Sequence, residues 1–68
     1  MTEFKTRIKN IRIQKELTQK QMAELIGTTE RHYQHYEAGT REPNLTTFKR
    51  IAETINVSAD YLLGINKK

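Results

Sequence analysis

The chain has 68 residues, no cysteine and a formal charge of +4. That length allows one domain with a small core and no cleft between lobes; the missing cysteines rule out disulfides and thiolate metal sites and suit a cytoplasmic protein. Residues 1–20 hold six basic and two acidic side chains, whereas residues 21–68 hold six of each, and a small domain with a basic end often has a polyanionic partner.

The first ten residues, MTEFKTRIKN, lack an apolar run after their basic residues, so they are not a signal peptide. No apolar run is long enough to span a membrane. Phe4, Ile8 and Ile11, joined by Met1, follow a helical spacing with Lys5, Lys9 and Lys15 on other faces. This predicts a first helix over Glu3–Lys15 with Thr2 as N-cap. Thr18 opens a second helix, and Gln21 three residues on completes a capping box. Met22, Ala23 and Ile26 form its apolar face and Gly27 ends it.

A third helix starts almost at once, with Thr29 as cap and Glu30 in its first turn. Tyr33 and Tyr36 face inward and Gly39 stops it; residues 38–43 are a loop. Asn44 caps a fourth helix whose inner side is Leu45, Phe48, Ile51, Ala52 and Ile55. Ser58 caps a short fifth helix, with Leu62 and Leu63 turned inward and Gly64 closing it. The reading is an all-α, compact five-helix domain over residues 1–64, with 65–68 as a disordered tail.

Two short helices joined through Gly27 form a helix-turn-helix over Thr18–Glu37. Gly27 supplies a positive φ, and the small Ala23 lets the two helices approach. On a helical wheel Glu30, Arg31, Gln34 and His35 lie together, away from the two inward tyrosines. Arg31 suits guanine O6 and N7, Gln34 suits adenine, and Glu30 can accept from cytosine N4. His35 can donate to a purine acceptor. Glu30 equally suits the helix dipole alone; for Arg31 the base contact is favoured over a solvated surface charge, because Arg–guanine contacts are common.

His32 and His35 lack a third ligand, so they do not make a metal site. The Tyr33 ring belongs to the core, with its hydroxyl free to reach a phosphate. Arg41 follows the third helix and is the best phosphate candidate among the exposed cations Lys20, Arg41, Lys49 and Arg50. No catalytic set, phosphate-cradling glycine loop or cofactor motif is present in the sequence. The residues indicate neither an enzyme nor a small-molecule site.

The strings LTQKQMAELIG, YEAGTREP and IAETINVSADYLL, in this order, resemble the phage repressor/Cro family of helix-turn-helix regulators. The resemblance covers roughly residues 4–64. It implies a lambda-repressor-like fold and sequence-specific binding of double-stranded DNA, usually as a dimer on a near-palindromic operator. It implies that Gln19 holds a phosphate and supports the recognition helix, and that Thr29, Glu30, Arg31 and His35 face the groove. Thr29 is also a candidate for phosphate contact. It implies a partly buried salt bridge between Arg12 and Glu37.

Glu16 stands where the family often has Gly, which predicts either a strained turn or a different one. Ala38 stands where Asn is frequent, so a side-chain phosphate contact is missing there. The backbone amides of Ala38 and Gly39 remain candidates for it. The family's dimer contact falls near Ile55–Ala59, where Val57 is either an exposed contact in a weak homodimer or part of the core. The alternative reading is a protein-interaction module or antitoxin-like adaptor on the same fold.

Overall fold

A computed structural model describes residues 2–65. Helices α1 (Thr2–Gln14), α2 (Gln19–Ile26), α3 (Glu30–Ala38), α4 (Leu45–Ile55) and α5 (Ala59–Leu63) follow one another through short turns, and no strand occurs among the described residues. All four predicted internal caps form. Thr18, Thr29, Asn44 and Ser58 each accept the amide hydrogen of the residue three positions on. The Thr18–Gln21 pair is reciprocal, with both bonds of the capping box in place.

α1 begins one residue earlier than the periodicity predicts. Thr2 is itself helical, so it does not stand outside the helix as a cap does. The core joins Phe4, Ile8 and Ile11 of α1 to Met22, Ala23 and Ile26 of α2, Tyr33 of α3, Phe48, Ile51, Ala52 and Ile55 of α4, and Leu62 of α5. Met1, expected on this face, lies outside the described residues.

Leu45 departs from expectation. It is 82% exposed, because the first position of α4 projects past the core that Phe48 and Ile51 enter. It lines one end of an open apolar groove with Phe48, Ala52, Val57 and Leu63. Val57 is half-buried and packs against the core while also lining that groove.

Among the described residues, two other than glycine take the left-handed conformation, Glu16 (φ 59°) and Asn56 (φ 58°). Glu16 thus takes the strained turn, in a conformation that costs an L-residue about 1–2 kcal/mol. Asn56 ends α4, its amide donating to the carbonyls of Ala52 and Glu53, a position that Asn tolerates better than most residues. Of the tail expected to be disordered, Ile65 donates a backbone N–H hydrogen bond to the Asp60 carbonyl at 3.0 Å. Residues 66–68 lie outside the described residues.

Candidate nucleic-acid interface

The turn between α2 and α3 is set by Gly27 at φ 79°. Its amide closes α2, and the Thr28 amide reaches the Ala23 carbonyl at 2.9 Å. Four residues after Ile26, α3 is already running. Arg50 lies just beyond Gly27, at ordinary contact distance from where a Cβ would stand.

α3 has one fully buried side chain, Tyr33. Tyr36 is half-buried, packed edge-on against both Phe4 and Tyr33. Glu30, Arg31, Gln34 and Ala38 are exposed and His35 is half-buried. At 100° per residue these five share one continuous outward arc. The structure therefore brings together on one surface the four side chains expected to read bases.

The flank of α3 next to this arc is held by a polar network. The Arg12 guanidinium on α1 donates to both Glu37 carboxylate oxygens, at 2.6 and 3.3 Å, and to the Leu17 carbonyl at 3.0 Å. The expected Arg12–Glu37 pair forms, with side chains only 15% and 5% exposed. Gln19 Nε2 donates to Glu37 at 3.1 Å, and the Tyr33 hydroxyl donates to the same carboxylate. Gln34 Nε2 then reaches Gln19 Oε1 at 3.4 Å. A chain of bonds thus runs from α1 through the end of α3 and the start of α2 to the outward arc.

These contacts set the ionisation of the network. Burial pushes the Glu37 carboxyl up, but the bonds from Arg12, Tyr33 and Gln19 outweigh it and hold the carboxyl below its ordinary range. Burial, reinforced by the bond to Glu37, raises Tyr33, so it remains a neutral donor. Arg12 is raised by its bond to Glu37 against an opposing burial effect.

Several phosphate assignments change. Tyr33 is fully buried and its hydroxyl is committed to Glu37, so it has no path to a phosphate. The Gly39 amide is also committed, donating back to the carbonyls of His35 at 2.9 Å and Tyr36 at 3.3 Å. It closes α3 and is not free for an outside anion. The Thr40 and Arg41 amides fold back onto the same His35 carbonyl, at 3.1 and 3.4 Å. Ala38, Thr29 and Arg41 stay exposed. Gln19 is half-buried and spends its amide inside the protein. Its oxygen accepts from Gln34, so both ends of its side-chain amide face α3.

His35 Nδ1 lies 2.7 Å from Thr40 Oγ1, leaving the other ring nitrogen as the available one. Sequence reasoning missed this contact, the Gln34–Gln19 link and the Tyr33–Glu37 bond. The last was signalled by a spacing of four residues along one helix. It also missed Arg7, which pairs with Glu3 at 3.1 Å and lies 4.6 Å from the centre of the Tyr61 ring, fastening α5 to α1. Among the described residues no group of acidic, histidine or cysteine side chains is arranged to hold a metal.

A helix-turn-helix family model matches residues 8–62. The chain is 45% identical over 60 residues to YqaE of Bacillus subtilis, named an uncharacterized HTH-type transcriptional regulator; the match covers 88% of this chain and 52% of that protein. It is 36% identical over 58 residues to the HTH-type transcriptional regulator ImmR of the same organism, covering 85% of this chain and 46% of ImmR. It is 33% identical over 54 residues to the cryptic phage CTXphi transcriptional repressor RstR of Vibrio cholerae, covering 79% of this chain and 49% of RstR. The chain thus spans about half the length of these curated relatives. The matched span runs from within α1 to within α5 and includes both helices around Gly27: the chain belongs to the helix-turn-helix family.

Proposed function

We propose that this chain is a transcriptional regulator, and specifically a repressor, that lays α3 in the major groove of double-stranded DNA. The observation that carries the reading is the outward arc of α3: polar along its length apart from Ala38, and braced along its flank by the Glu37 network. Arg31 and Gln34 read purine edges, Glu30 accepts from a cytosine amino group, and His35 donates through its available nitrogen. Thr29 and Arg41 contact phosphates at the two ends of α3, while Gln19 acts by fixing Gln34. This role places the protein in the cytoplasm, with the DNA.

The same reading makes the protein a weak homodimer on a near-palindromic operator, paired through the groove lined by Leu45, Val57 and Leu63. RstR, a relative named as a phage transcriptional repressor, supports the repressor assignment.

Selection from random duplex DNA tests the reading. It should yield two half-sites about one helical turn apart. Arg31→Ala should cost roughly 1–3 kcal/mol of binding and relax preference at one base pair. Recovery of no preferred sequence would transfer the fold to a protein-interaction role, as in an antitoxin-like adaptor.

A further inference from the structure

We infer that Lys5, on α1 and outside the helix-turn-helix, supplies a second cation, in addition to Arg41, that meets a DNA phosphate at the C-terminal end of α3. The inference rests on the reading that α3 enters the major groove.

At the end of α3, two of the groups expected to meet a phosphate drop out, leaving Arg41. Ala38 has no polar side chain, and the Gly39 amide is spent on the carbonyls of His35 and Tyr36. Yet a helix of nine residues is about 13 Å long, comparable to the ~12 Å width of the major groove. A helix lying in the groove with its first turns at the bases therefore carries its last turn to the phosphates of the groove wall.

Lys5 is already at that turn. Its side chain lies across Gly39, with Cδ 2.7 Å and Nζ 3.3 Å from where a Cβ on Gly39 would stand. The absence of a side chain at residue 39 therefore leaves room for the lysine as well as allowing φ +80°. Lys5 and Arg12 are seven residues apart, two helical turns, so they share one edge of α1. Arg12 fixes that edge to α3 through Glu37. Of the N-terminal cations, Arg7 is paired with Glu3 and Arg12 with Glu37. Lys5 makes no ion pair among the described residues. The partial negative charge at the end of a helix favours a cation there without neutralising it, and a phosphate carries the full charge that the helix end lacks.

The test is the salt dependence of binding to a mixed-sequence duplex and to the duplex recovered by selection, for the unaltered chain, Lys5→Gln and Lys5→Arg. One lost phosphate contact lowers the slope of log K against log salt by about 0.9. Lys5→Gln should show that loss on both duplexes, with the thermal midpoint and the preferred sequence unchanged, and Lys5→Arg should keep the parent slope. An unchanged slope in Lys5→Gln, in a parent chain that binds DNA, overturns the role of Lys5 alone. A slope that falls only together with the thermal midpoint overturns it too, by making Lys5 a prop for α3. Absence of duplex binding by the parent chain removes the DNA reading itself, and this inference with it.

Discussion

α3 and α4 are neighbours in sequence but are held in different ways. α4 sends Phe48, Ile51, Ala52 and Ile55 into the core. Its position comes from apolar burial, which is strong and has little directionality, at about 1.5–3 kcal/mol for each large side chain. α3 buries only Tyr33 completely, and its other anchor is the carboxylate of Glu37, bonded to Arg12, Gln19 and Tyr33. A helix that must offer a wide polar arc has little surface left for apolar contact. Directional bonds from the remaining edge then set its rotation as well as its distance.

The comparison can be broken by two truncations. Ile51→Ala should cost about 2–5 kcal/mol through loss of burial and the cavity left behind. Arg12→Ala should cost about 3 kcal/mol, because Glu37 loses its charged partner while staying buried. Both are large against the total stability of so small a domain, and urea unfolding measures them. The difference should appear in DNA binding, corrected for the folded fraction. Ile51→Ala keeps the preferred sequence, whereas Arg12→Ala releases Gln19 and Gln34 and blurs it. An unaltered preference in Arg12→Ala would mean that packing alone orients α3.

Acid sharpens the contrast further. The Glu37 carboxyl is held below its ordinary value of 4.5 in the folded protein. Its contribution is therefore complete above that value, and it is lost as pH falls below it and through the folded pKa. Stability followed by urea unfolding from neutral pH downward should decline there. Glu37→Gln should start lower and decline less steeply over the same interval. Equal slopes would remove Glu37 from the acid response.

The smallest expected effect lies outside both helices. Glu16 has φ 59° in the turn before α2, so Glu16→Gly relieves strain and loses some chain entropy in return. A net gain of about 0.5–1 kcal/mol, or about 3–7 °C in the thermal midpoint, is expected, with DNA affinity unmoved. A change in affinity would show that this turn, too, takes part in positioning α3.

Much of this architecture is local, and local features were readable from the chain. Thr18, Thr29, Asn44 and Ser58 cap their helices because a short hydroxyl or amide side chain needs only an amide three residues away. Gly27 and Gly39 end helices because a positive φ suits them. Leu45 misled because a helical period assigns a face but not where along that face the core ends. The Arg12–Glu37 pair, 25 residues apart, was expected only through family resemblance. Neither spacing nor composition brings α1 to the end of α3.

The sequence by itself thus determined five helices, the four internal N-caps, most of the core and the set of side chains on the outer arc of α3. Only the tertiary structure decided which polar groups are still available to a ligand. The Tyr33 hydroxyl and the Gly39 amide looked free along the chain and are spent inside the fold, while Lys5, remote in sequence, stands beside Gly39. A hydrogen bond depends on separations of about 3 Å in space, and distance along a chain of helices does not fix those separations.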